Sequence, residues 1–295
     1  MKKQIWLLIL VFIFGCSDDE PLEITIPTLT SVFEYNNIED DPISDGTRQT
    51  NPTTGLDYTG WGVYEDIIFP GTTIEWSVDH ATQPALEGQS LECAITGGDR
   101  YNNAFFTNTI ALKWEGEDWL YKDANYLEYE LDFYIDGVTD CNNPNNSTLE
   151  GIEFTWQHIL IPISYGFGVQ WSKGGEWRYW NDEFDPQAGK AVGWESFSPQ
   201  INTCLAANTW HHIKLIGEQL NEGSHYISME INGQVFDISN ISLDRAEVQS
   251  GWVENFLQVG MQINGNQALD VTHGHGVDPV KVYLDNVTFR GYRKE

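Results

Sequence analysis

The stretch Gly151-Ile152-Glu153-Phe154-Thr155-Trp156-Gln157-His158 alternates apolar and polar side chains. Ile152, Phe154 and Trp156 alternate with Glu153, Thr155 and Gln157. Side chains on a β-strand point to opposite faces in turn, so this spacing predicts a strand with one apolar and one polar face. A polar face that carries an acid and an amide in the middle of a sheet is either a binding floor or a catalytic centre.

The neighbouring sequence follows the same rule. In YLEYELDFYIDG (126–137), Tyr129, Leu131, Phe133 and Ile135 face one way, and Glu128, Glu130, Asp132 and Tyr134 the other. YGFGVQWS (165–172) sets Phe167, Val169 and Trp171 against Gly168, Gln170 and Ser172. EWRYWNDE, WHHIKLIGE, HYISMEINGQVFDI, FLQVGMQING and KVYLDNVTF read as further strands, and Asn232-Gly233 is a hairpin signal. No helical periodicity persists beyond a few turns, and there is no internal repeat or second composition zone. Many strands around one core predict an all-β fold: a two-sheet antiparallel sandwich. Residues 31–295 read as one domain, which is long enough for a full core.

The chain starts MKKQIWLLILVFIFGC. A basic start, about ten apolar residues and a small residue form a secretory signal, too short to span a membrane. Ile13-Phe14-Gly15-Cys16 resembles the lipobox of bacterial lipoproteins. The resemblance implies cleavage after residue 15, acylation of Cys16 and membrane attachment through that lipid alone. Ser17-Asp18-Asp19-Glu20 resembles the acidic export signal of Bacteroidetes lipoproteins, which implies the outer membrane with the protein facing the exterior. Residues 16–30 read as an acidic, Pro- and Thr-rich tether.

The chain holds 44 acidic against 15 basic residues, a formal charge of −29. Such a surface repels nucleic acid and anionic lipid, and no basic run with interleaved aromatics appears, so nucleic-acid binding is excluded. It also disfavours long polyanionic glycans unless a local Arg/Lys site or Ca²⁺ intervenes. Twelve Trp and 13 Tyr supply flat faces with polar edges that suit sugar rings, although large sandwiches also bury many aromatics. Among the cysteines left after lipidation, Cys93 is in phase with Leu91 and Ile95 and reads as a buried thiol. Cys141 and Cys204 lie in polar loops, and export permits a disulfide, so these two are expected to pair.

NTWHHIKLIGE, a hairpin strand with INGQ and a terminal VYLDNVTF resemble the concanavalin A-like lectin/glucanase jelly rolls. SLECAITGGDRYNNAFF, LEGIEFTWQ, WRYW, WHH, QINGN and YLDNV, in that order, resemble a group of secreted bacterial jelly-roll proteins of unassigned activity. The resemblance covers about Gln89 to Phe289 and implies a concave sheet with a groove. It says little of reaction, since the superfamily holds lectins, hydrolases and lyases.

With the apolar phase of each strand turned to the core, the groove is expected to carry Glu153, Thr155, Gln157, Gln170, Arg178, Trp180, Gln258, Gln262 and Asn264. Amides and Arg bond sugar hydroxyls, and Trp180 offers a stacking face. Laminarinase-like members of the superfamily use an E-x-D-x-E strand. Here those positions read Glu153, Thr155 and Gln157, so the middle and final acids are missing, and hydrolysis would need another acid such as Glu150 or Asp182. Elimination needs a carboxylate neutraliser and a base. Candidates for a lyase are Arg178 with His158, His212 or Tyr165. However, the alginate-lyase pattern places Gln and His on one face, and Gln157 and His158 are adjacent.

No metal site is assigned. His273 and His275 with Asp270 and Asp278 sit in a Gly-rich loop, and the acids of NNIEDDPISDG leave Ca²⁺ as the one open cofactor, with a spacing that matches no Ca²⁺ loop. No nucleophile elbow and no phosphate-cradling Gly loop is present. The expected function is a surface lipoprotein that binds polysaccharide or oligosaccharide, within a glycan-uptake system that includes an outer-membrane transporter. The alternatives are a lyase or dehydratase on a uronic-acid glycan, and an adhesive or structural surface protein. Whether it is an enzyme stays open; if it is, a carbon–oxygen lyase fits better than a glycoside hydrolase.

Overall fold

The computed structural model describes residues 28–65, 74–97, 103–114, 116–185, 190–248, 252–265 and 280–295. The leader, Cys16, most of the tether and the loop with His273 and His275 lie outside the described residues. The first strand, Leu29–Tyr35, begins inside the stretch assigned to the tether, with Leu29 paired to Lys294 and Thr30 to Arg293.

Among the described residues the chain folds into two large antiparallel sheets in a jelly-roll sandwich. One runs Gln234–Asp237, Gly223–Ile231, Trp210–Leu220, Tyr126–Asp136, Val280–Lys294, Ser90–Gly97 and Ile74–Ala81. The other, called here the groove sheet, runs Lys190–Ser196, Trp177–Asp185, Ile163–Ser172, Leu149–Leu160, Glu254–Gly265 and Asn103–Trp114, then two short strands at Asp57–Tyr58 and Gln49–Thr50.

Alternation produces this arrangement directly. In Tyr126–Asp136 every second side chain from Leu127 to Ile135 is buried. In Leu149–Leu160, Ile152, Phe154, Trp156 and His158 are buried and face the other sheet. Phe154 meets Phe133 of the opposite sheet at 4.7 Å between ring centroids, and Trp156 stacks on Phe167 at 3.9 Å. Each buried aromatic of this size removes roughly 150–250 Å² from water, so these contacts dominate the sandwich. Gly217 lies at an irregularity in strand pairing, where an added Cβ would stand 2.3 Å from the Phe167 ring. The glycine is what lets that ring enter the interface.

Tyr226 ties the sheets together by hydrogen bonds. Its hydroxyl accepts from Gly168 N at 3.0 Å and donates to Trp180 O at 2.9 Å. The ladder between Ile163–Ser172 and Trp177–Asp185 runs from the Trp171–Trp177 pair to the Val169–Tyr179 pair, and the phenol serves backbone groups next to that end. Cys141 and Cys204 form a disulfide with Cα atoms 5.8 Å apart, and Cys93 is a buried free thiol.

Glu39 anchors the N-terminal segment. Its carboxylate accepts from Asn286 N at 3.0 Å and Val287 N at 2.8 Å, where the last strand breaks register and Asn286 takes a positive φ of 53°. Burial raises its pKa to about 7, against the opposing effect of these backbone donors. A carboxyl whose folded pKa is raised stabilises the fold most below its unfolded value, and that contribution is lost as pH rises through the folded value. Glu39→Gln should therefore reduce the fall in stability between about pH 4.5 and pH 7, read by denaturant midpoints across that range.

Candidate functional site: a polar groove across one sheet

The outer face of the groove sheet carries a cavity of about 1230 Å³. All nine residues assigned to the groove line it: Glu153, Thr155, Gln157, Gln170, Arg178, Trp180, Gln258, Gln262 and Asn264. Strand register explains how residues more than 100 positions apart meet. Gln170 pairs with Glu153 and with Arg178, and Glu153 pairs with Gln262. Arg178, Gln170, Glu153 and Gln262 therefore form one row across four strands. Gln157 and Gln258 form a second row with Thr109.

Glu153 is the centre of the first row and is only 6% exposed. Its Oε1 accepts from Gln170 Nε2 at 2.7 Å and from Asn264 Nδ2 at 2.8 Å. Gln262 Nε2 in turn donates to Asn264 Oδ1 at 3.2 Å. Gln157 donates to Ser164 Oγ and Gln258 to Thr109 Oγ1, both at 3.1 Å. The amides are thereby held in fixed orientations. None of these bonds uses the carbonyl oxygens of Gln157, Gln258 or Gln262.

Between these rows the floor flattens. Thr155 pairs with Gly168 on one side and Gly260 on the other. A Cβ at Gly168 would lie 2.9 Å from Thr155 Cγ2 and 3.2 Å from the Trp194 ring, and one at Gly260 2.6 Å from the Phe105 ring. Aromatic rings occupy the space over both glycines. Trp194 packs edge-on against Trp180 with centroids 5.3 Å apart. Trp194 and Phe105 were not singled out in the sequence, although Phe105 is in phase with Asn103, Thr107 and Thr109, which also line the cavity. At one end Trp252 and Phe256 line the groove, with Arg48 over the Trp114 ring nearby.

The structure moves three of the four elimination candidates away from the groove. His158 is fully buried on the core face. Its Nε2 accepts from Trp119 Nε1 at 3.1 Å, which leaves Nδ1 to donate to Gln219 Oε1 at 3.1 Å. Burial pushes its pKa down to about 3, so it stays neutral. Tyr165 is 5% exposed and donates to Leu220 O of the opposite sheet at 3.2 Å. His212 belongs to the other sheet, where a hydrogen bond to Asp132 at 3.0 Å raises its pKa. Arg178 does line the groove, paired with Glu176 at 2.9 Å.

Double-displacement hydrolysis asks for two carboxylates roughly 5 Å apart. Within its row Glu153 neighbours amides. Glu254, on the adjacent strand, is offset by eight residues from Gln262, about 26 Å at the usual strand rise. Glu150 is paired with Lys173 at 2.8 Å. The side chain of Asp182 lies outside the described residues. Those residues hold no cluster of three or more metal-ligating side chains.

No protein-family model and no curated protein matches the chain. Among solved structures it is similar to a sialidase, at 12% identity and a TM-score of 0.39, over 84% of this chain and 19% of that one. It is similar to a Bacillus licheniformis β-glucanase at 10% identity and a TM-score of 0.38, over 89% of this chain and 98% of the other. It is also similar to the alginate lyase Aly36B, at 11% identity and a TM-score of 0.40, over 74% and 88%.

Glu153→Leu should leave the Gln170 and Asn264 amides without their shared acceptor. The expected loss is about 2–4 kcal/mol in denaturant unfolding, with Glu153→Gln costing clearly less.

Proposed function

We propose that the groove binds a glycan chain. The observation that carries this reading is the row of Arg178, Gln170, Glu153 and Gln262, locked by hydrogen bonds beside the Trp180–Trp194 pair. Fixed amides and a carboxylate match sugar hydroxyls, which both donate and accept, and the indoles offer apolar faces to the ring C–H groups. A plain solvent face has no need to orient its amides through one another.

The reading includes location. The leader, the lipobox-like Ile13-Phe14-Gly15-Cys16 and the acids after it support a lipid-anchored protein at the outer membrane, facing the exterior. There it would capture polysaccharide or oligosaccharide for a transporter. The elimination reading is the weaker one, since His158, Tyr165 and His212 sit away from the groove.

Affinity gel electrophoresis against a polysaccharide panel, with reducing ends and the ultraviolet absorbance of unsaturated products followed in parallel, tests this. Retardation without product is expected. Unsaturated product would establish a lyase and overturn the reading, and no retardation by any glycan would leave an adhesive or structural role. On a retarding glycan, Trp194→Ala should weaken binding by about tenfold or more, as loss of a buried indole anchor does. His212→Ala, on the other sheet, should leave it unchanged.

A further inference from the structure

We infer that the groove takes an uncharged glycan, one built of neutral sugars or of esterified acids, rather than a polyuronate. The inference rests on the glycan reading above and adds the charge class of the ligand.

Three basic side chains among the described residues line the groove, and an acid engages each. Arg48 Nη2 lies 2.6 Å from Glu254 Oε1, and Lys173 Nζ lies 2.8 Å from Glu150 Oε2. Arg178 sends Nε and Nη2 to Glu176 Oε2 at 3.3 and 2.9 Å. Glu176 is itself fixed by Ser196, and these two partners hold its pKa below the usual carboxylate range, so it stays ionised as a counter-charge. A uronate would have to displace a carboxylate from each cation. It would also lie over Glu153 on a chain of formal charge −29, where like charges repel.

The uncharged groups of the floor ask for hydroxyl donors. Asn103 lines the groove, is 6% exposed, and its buried Oδ1 has no hydrogen-bond partner in the structure. A buried acceptor without a donor costs free energy until one arrives. A sugar hydroxyl supplies that donor. Asn103 pairs with Asn264, which holds Glu153, so the orphan acceptor is continuous with the amide network.

The test uses two forms of one backbone, polygalacturonate and its methyl ester, beside neutral β-glucans, xylans and mannans. Retardation of the purified protein in affinity gels is measured at low and high salt. Binding to one or more uncharged polymers, insensitive to salt and absent on polygalacturonate, is the expected result. Binding to polygalacturonate that weakens with salt would overturn the charge inference and leave the glycan reading intact. Retardation by none would overturn both. The double variant Glu150→Gln/Glu176→Gln removes the negative charges beside Lys173 and Arg178, and should gain about tenfold or more in affinity for polygalacturonate. No gain, with thermal melting showing the variant folded, would also count against the inference, because the ion pairs would then not be what excludes the acid.

Discussion

The packing of Phe154 and Trp156 into the other sheet is the constraint on which the site depends. Trp156 stacks on Phe167, and Phe154 meets Phe133. With those rings inside, Glu153, Thr155 and Gln157 must point out, since the side-chain period of a strand is two. A slip of one residue would turn the aromatics to water and the acid into the core. The hydrophobic interface therefore sets the register of Leu149–Leu160. The ladders to Ile163–Ser172 and Glu254–Gly265 pass that register on, and bring Gln170 and Gln262 to Glu153. The precision of the groove comes from the core beneath it.

Much of this was legible in the chain. Alternation in Tyr126–Asp136 and in Ile152 to His158 marked both the strands and their buried faces, because amphipathic strands write their orientation locally. The same phase rule put nine side chains on the groove. It also applied to residues whose chemistry drew attention elsewhere. Tyr165 is in phase with Phe167, and His158 with Trp156, and both lie in the interior. A histidine there looks reactive on paper. In place, Trp119 and Gln219 occupy its two nitrogens.

What alternation does not encode is which strands are neighbours. Glu254–Gly265 lies beside Leu149–Leu160 across about a hundred intervening residues, and Lys190–Ser196 closes the edge beyond Trp177–Asp185. The clasp of Asn264 on Glu153 and the meeting of Trp194 with Trp180 depend on that long-range order. The Arg48–Glu254 pair joins a segment near the start of the sandwich to one near its end. No local pattern contains such a contact, and the charge balance of the groove is made of contacts of this kind.

The glycines show how shape and chemistry are joined. Gly168 and Gly260 flank Thr155 in one row, two strands apart, about 10 Å at ordinary strand spacing. Side chains at those positions would fill the floor and lift the neighbouring rings away from it. Without them, Trp194 and Phe105 come down against the backbone, and apolar surface lies at floor level beside Thr155. The polar rows then lie on both sides of that strip, with Glu153 on one and Gln157 with Gln258 on the other. A sugar ring has the same make-up, with apolar C–H faces and a hydroxyl edge. The groove presents the two kinds of surface side by side, which a row of large polar side chains on an ordinary sheet face would not do.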